Sequence, residues 1–132
     1  MLQNKIEIIS RNRIEDHRGW FLKVITGTEN HLSPTLGEFY VTVAQPNQSK
    51  GGHYHPIAKE WFTLLKGSCV LELIDIETKE YISLELNENQ PQTIFVPNNI
   101  AHNFKNNSAS EFILLAYSDI LYNPTDTLVY PF

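Results

Sequence analysis

Short runs rich in β-branched and aromatic residues recur along this chain at residues 6–9, 20–26, 38–44, 60–65, 68–74, 80–84, 93–96, 103–105 and 111–117. Each is the length of a strand, and none carries an apolar stripe with helical period. Turn chemistry separates them: Arg18-Gly19, Gln45-Pro46-Asn47, Lys66-Gly67, Gln90-Pro91, Pro97-Asn98-Asn99 and Lys105-Asn106-Asn107. Glycine and asparagine tolerate the backbone angles a reversal needs, and proline presets one of them. About nine short strands without intervening helices predict an all-β antiparallel sandwich or barrel. The stretch 28–36, with Pro34 inside it, reads as an irregular loop. The tail 123–132 reads as a loop packing back through Leu128, Val129 and Phe132, or alternatively onto a second subunit.

Length and composition narrow the possibilities. At 132 residues and 42% hydrophobic content, the chain predicts one globular domain over 1–132, without repeats or linkers. A formal charge of −5, with no concentration of Lys and Arg, argues against nucleic acid or an anionic membrane as partner. The single Cys69 excludes an internal disulfide and lies in an apolar run, as a buried strand residue would. The N-terminus lacks a secretory apolar region, and no apolar run approaches the roughly 18 residues of a membrane span. The expectation is a soluble, cytoplasmic protein.

Chemistry concentrates in two segments. One reads Gly51-Gly52-His53-Tyr54-His55-Pro56-Ile57-Ala58-Lys59-Glu60, the other Pro97-Asn98-Asn99-Ile100-Ala101-His102. Alternate residues of a strand share a face, so His53 and His55 point the same way. Two such imidazoles, a nearby carboxylate and a third histidine from a distant strand can hold one divalent ion, making His53, His55, Glu60 and His102 a candidate ligand set. His17 and His31 stand outside these segments and read as structural or solvent-exposed.

The two segments resemble the motifs of the cupin superfamily. His53, His55, Glu60 and Gly67 match the first motif, and Pro97, His102 and Asn106 the second. Asn99 stands in place of the usual Gly, and Asn tolerates a left-handed turn position. The resemblance implies a double-stranded β-helix, or jelly-roll barrel, with these side chains in its mouth. It extends, over nearly the whole chain, to the cupins of nucleotide-linked deoxysugars: the dTDP-4-dehydrorhamnose 3,5-epimerases, the dTDP-sugar 3,4-ketoisomerases and the cupin domain of capsular polysaccharide biosynthesis reductases. Asp16-His17-Arg18-Gly19-Trp20-Phe21, Gln48-Ser49-Lys50-Gly51-Gly52-His53 and Ser118-Asp119-Ile120-Leu121-Tyr122-Asn123-Pro124 carry that likeness, in the family's order. The pattern departs at Lys50, where the 3,5-epimerases typically have Arg, and at Glu60, where they have Lys and the ketoisomerases a neutral amide. The capsular type retains acidic and histidine ligands, which favours a metal.

The resemblance implies an isomerase or epimerase that abstracts the C3 proton of a nucleotide-linked 4-keto-6-deoxysugar in surface polysaccharide biosynthesis, working as a homodimer. His53, His55 and Tyr122 would move protons. Arg18 and Lys50 would hold the diphosphate, and Tyr40 would stack on base or sugar. No organic cofactor is expected, and the histidine cluster could hold Zn, Fe, Mn or Ni. Two alternatives stay open: a metal-dependent cupin of another class, such as a dioxygenase, and a non-catalytic sugar- or metal-binding cupin. An imidazole holding an ion has no lone pair for a proton, so metal binding and base catalysis compete for the same nitrogens.

Overall fold

A computed structural model describes residues 1–132. One helical turn, α1 (Leu2–Lys5), precedes twelve strands: β1 (Glu7–Ser10), β2 (Ile14–Asp16), β3 (Gly19–Phe21), β4 (Glu38–Ala44), β5 (Ser49–Tyr54), β6 (Glu60–Lys66), β7 (Ser68–Asp75), β8 (Tyr81–Asn87), β9 (Gln92–Val96), β10 (Ile100–Lys105), β11 (Phe112–Ser118) and β12 (Leu128–Val129). A 3-10 turn, Pro124–Asp126, stands before the last strand. Ten strands form two five-stranded antiparallel sheets, ordered β1-β9-β6-β11-β4 and β12-β5-β10-β7-β8. This is the expected jelly-roll cupin architecture.

The layering follows from the side-chain pattern. In β7 every second residue is buried, and Cys69, Leu71 and Leu73 point inward while Glu72 faces out. Opposite them, β6, β9 and β11 contribute Phe62, Leu64, Ile94, Val96, Leu114 and Ala116 to the same core. Phe62, Phe104 and Phe112 are almost wholly buried, each burial being worth roughly 2–3 kcal/mol. Strand β6 is buried on both faces for most of its length. On its outer face, Trp61 joins Phe95 and Tyr117 beneath Ile25 and Leu32 of the irregular segment between β3 and β4. Arg11 pins that cover, donating to the Val24 carbonyl at 2.7 Å and to Thr93 Oγ1 at 2.9 Å, and pairing with Glu29.

Several boundaries differ from expectation. The run expected at 20–26 is a strand only to Phe21, because the following residues serve as cover rather than ladder. Strands β2, β5 and β12 are additional: Gly51 and Gly52 give β5 little strand propensity of its own, and its partners β10 and β12 supply the ladder on either side. The tail packs back through that backbone pairing and not through its apolar side chains, since Leu128, Val129 and Phe132 all stay exposed. No helix is long and apolar enough to cross a membrane.

Candidate functional site

Three of the four candidate ligands lie on facing or adjacent strands. His53 of β5 and His102 of β10 are direct cross-strand partners, and Glu60 opens β6 in the opposite sheet, between Val96 and Ser118. His55 follows β5 by one residue. A register shift between His102 and Asn103 marks a bulge against β5, which lets a strand turn its side chains. Gly51 makes it possible: its φ is +100°, and a Cβ there would lie 2.7 Å from the His102 carbonyl oxygen. The second motif's turn meets the first motif directly. Asn99, at φ +62° as a left-handed position requires, donates its N–H to the His55 carbonyl at 2.8 Å, and Asn98 Nδ2 donates to the Pro56 carbonyl at 3.0 Å.

The result is a cluster in which one ligand nitrogen from each of His53, His55 and His102 lies within 4.8 Å of the others. Glu60 is 3% exposed, with Oε1 2.9 Å from His55 Nε2 and 3.5 Å from His102 Nε2. Its Oε2 accepts from the Tyr40 hydroxyl at 2.7 Å. The Glu60 to His55 contact is short but off the line of a hydrogen bond, so it is an ion-pair contact rather than a formed bond. His55 Nε2, His102 Nε2 and Glu60 Oε1 are buried without an aligned partner. Buried polar atoms left so are costly, and these three converge on the cluster. That convergence, with three nitrogens and a carboxylate oxygen, fits a divalent cation.

The protonation states diverge. Burial, and then the neighbouring His55, push His53 below the ordinary imidazole value of 6.5. His102 is driven to about 4, chiefly by burial and further by the other two histidines. In His55 burial also pulls down, yet the Glu60 contact and charge, with the Asp126 carbonyl, together outweigh it and raise the group. Burial pulls the Glu60 carboxyl up, but His55, His102 and Tyr40 jointly hold it below its usual value. Burial and Glu60 raise the Tyr40 phenol, which therefore stays protonated. His53 thus keeps a free lone pair to lower pH than an ordinary imidazole, while His55, beside the Glu60 carboxylate, keeps its proton to higher pH than an ordinary imidazole.

A cavity of about 390 Å³ opens onto this cluster. Tyr40, His53, His55 and Glu60 line it, with Ile120, Leu121 and the exposed Tyr122 at its side and Glu38, Ala58, Ser118, Asn123, Asp126 and Thr127 in the rest of the wall. His102 lies behind, against the packed rings of Phe62 and Phe104. No Lys or Arg is among the lining residues. Arg18 sits instead on the exposed β2-β3 hairpin, held by Asp16 through its backbone and guanidinium. Lys50 is exposed on β5 outside the cavity, and the half-buried Tyr54 also lies outside it. Tyr40 does line the cavity, with its hydroxyl committed to Glu60. His17 is exposed, and His31 stacks on Phe95 and pairs with Glu7. Glu38, Asp126 and Thr127 escaped the sequence reading, because Glu38 opens an ordinary strand and nothing local at 126–127 distinguishes a wall from a loop.

The fold is shared by proteins of distant sequence. The dTDP sugar isomerase from Desulfovibrio desulfuricans G20 superposes with a TM-score of 0.87 at 16% identity, over 96% of this chain and 83% of that one. A 3,4-ketoisomerase from Helicobacter canadensis gives 0.78 at 21% identity, over 93% and 89%. The capsular polysaccharide assembling protein CapF from Staphylococcus aureus gives 0.70 at 21%, over 92% of this chain, which spans 34% of CapF's length. At these identities the likeness is one of fold. Among curated proteins no sequence matches. The family model for the polysaccharide biosynthesis C-terminal domain matches residues 14–130, and the chain belongs to that family.

Proposed function

We propose that this chain, as one cupin domain over 1–132, is a sugar-nucleotide isomerase or epimerase acting at C3 of a nucleotide-linked 4-keto-6-deoxysugar, in surface polysaccharide biosynthesis. One observation carries it: two cavity-lining imidazoles, ring centroids 5.0 Å apart, are pushed to opposite sides of the ordinary imidazole pKa. Environments that split neighbouring titratable groups in this way assign a base and an acid. His53 is the base. It takes the C3 proton, which the adjacent ketone acidifies, and the C–H electrons move into the C3–C4 bond while the C4 oxygen gains negative charge. The His55 imidazolium, backed by Glu60, faces that oxygen and can protonate it. Tyr122, at the cavity side, is the second proton carrier, returning a proton to the opposite face of C3 for epimerisation. Transfer of the C3 hydroxyl proton and protonation of C4 instead would move the ketone to C3.

The cavity's acidic lining leaves the diphosphate outside its mouth. Lys50 and Arg18 are the cations for it, Arg18 from the exposed hairpin of a second subunit. A homodimer is supported by the apolar outer face of β4, where Phe39, Val41 and Val43 are exposed side by side. The lone buried Cys69 is in keeping with the cytoplasm. Similar folds named as dTDP-sugar enzymes support the substrate class. The test is to incubate the protein with dTDP-4-keto-6-deoxyglucose in deuterated water and follow the sugar by NMR. Deuterium at C3 with the ketone retained at C4 marks an epimerase, and a ketone at C3 marks a ketoisomerase. No exchange, with or without added divalent metal, would remove this proposal.

The unpartnered atoms of His55, His102 and Glu60 favour a second state, in which they and His53 hold Zn, Fe, Mn or Ni. Such an ion would supply Lewis acidity toward a ketone or enolate oxygen. His102 is then a ligand rather than a proton carrier, consistent with its depressed pKa of about 4. Elemental analysis is expected to find about one ion per chain, and less than about a tenth of that after His102→Ala. Equal content in both proteins would remove His102 from the ligand set.

A further inference from the structure

We infer that Asp126 is a positioning residue that fixes which ring nitrogen of His55 faces the cavity. Its carboxylate is buried and fully engaged: Oδ1 accepts from the Ile57 N–H at 2.8 Å and Oδ2 from the Ala58 N–H at 3.0 Å. Its own backbone carbonyl lies 2.9 Å from His55 Nδ1. The carboxylate clamp therefore holds the segment after His55, while the carbonyl of the same residue reads the ring. A carbonyl can only accept, so this aligned contact calls for a proton on Nδ1; Glu60 Oε1 also only accepts, but its contact at Nε2 is not aligned as a hydrogen bond, so the neutral ring keeps its lone pair on Nε2. Nε2 is the atom beside Glu60 Oε1.

The arrangement is built by the tail. Asn123 caps the 3-10 turn through its side chain, accepting from Thr125 N at 3.0 Å, and that turn ends in Asp126. Immediately afterwards β12 pairs Leu128 with Tyr54 and Val129 with His53, so the tail meets the histidine strand at a fixed register. Thr127 Oγ1 also approaches His55 Nδ1, at 3.4 Å. On the other side, Asn98 and Asn99 hold the same 55–56 backbone independently. Loss of the Asp126 carboxylate thus releases one of two clamps, and the segment is not left without support.

A shell partner that orients a functional imidazole typically changes its performance by about 10–100-fold when removed. The inference deepens the proposed role of His55 and depends on it only for kinetics, since the tautomer is read without substrate. The test uses the full chain labelled with 15N-histidine, treated with chelator, at about pH 9, where imidazoles are neutral. Long-range proton–nitrogen correlation is expected to show a single Nδ1–H tautomer for His55 in the wild type. In Asp126→Ala it should shift toward Nε2–H while the His53 and His102 signals stay in place. Asp126→Asn, which keeps one acceptor oxygen, should fall between. In the C3 exchange assay, kcat should drop about 10–100-fold for Asp126→Ala with KM within about twofold. A folded Asp126→Ala with the wild-type tautomer overturns the inference, and so does an unfolded one accompanied by an Asp126→Asn that keeps the wild-type tautomer. Absence of exchange in the wild type would count against the activity alone, and the tautomer would still decide the role of Asp126.

Discussion

Replacing His53 with Asn is expected to lower kcat for C3 deuterium exchange by about 10²–10⁴-fold, the range a positioned general base contributes. At 1.36 kcal/mol per tenfold this is about 2.7–5.4 kcal/mol of transition-state stabilisation. KM should move little, because Asn keeps a polar group of similar size at the same wall. The expectation rests on where His53 sits and how it titrates. It lines the cavity, and burial with the adjacent His55 holds it below 6.5, so its lone pair is free at neutral pH. Wild-type kcat/KM should therefore rise with pH through a value below 6.5 and fall again above 6.5 as the raised His55 loses its proton. The acid limb should vanish in His53→Asn and survive in variants of Tyr122. Full exchange activity in His53→Asn would transfer the base to another residue, and the comparison with His55→Asn would say which.

The second large effect is expected at Glu60. Glu60→Gln preserves size and can still accept from the Tyr40 hydroxyl, but it removes the charge that raises His55. The alkaline limb of the pH profile should move toward lower pH, and kcat on the alkaline side of the wild-type optimum should fall roughly 10–100-fold as the acid is lost. Any bound ion should be lost too, since one of its four ligands becomes a poor donor. Fold stability should behave differently. Taking a carboxylate out of water is expensive, so a neutral isostere commonly leaves a buried site no less stable, and the melting temperature at neutral pH should stay near that of the wild type.

The folded Glu60 carboxyl lies below its ordinary value of 4.5. Its titrational contribution to stability is therefore fully present above 4.5 and is lost as pH falls through the depressed folded value. The wild type should lose that increment on acidification, and Glu60→Gln should not. An unchanged alkaline limb in Glu60→Gln would separate His55 from Glu60 and sink the acid assignment, whatever the stability data show.

Much of the site is legible in the sequence. The His-x-His spacing set two imidazoles on one side, and Glu60 and His102 joined them from other strands, as the cupin resemblance implied. Asn99 was readable as a left-handed turn residue for a local reason, its tolerance of positive φ. The two proposed diphosphate cations were not placed by any such local rule. Arg18 is bound to Asp16 two residues away, a contact that satisfies a hairpin as well as a ligand would, and it lies away from this chain's cavity. Tyr40 was expected as a stacking platform, but its hydroxyl is drawn inward by a carboxylate from another strand twenty residues on. Residue type alone could not rank those two uses of a tyrosine.

Strand-forming runs and turn residues determined the all-β class, and motif spacing determined which residues would meet, because both depend on interactions among near neighbours. Only the tertiary structure decided what surrounds them. The segment between β3 and β4 becomes a cover for Trp61 and Phe95 because Arg11 and an apolar sheet face are there to receive it. Strand β12 exists only as the partner of β5, since two residues cannot sustain a strand alone. Asp126 meets His55 across 71 residues of sequence. The split between a depressed His53 and a raised His55 is likewise a product of burial and of Glu60's position, quantities that depend on distance in space and that a spacing of two residues does not encode.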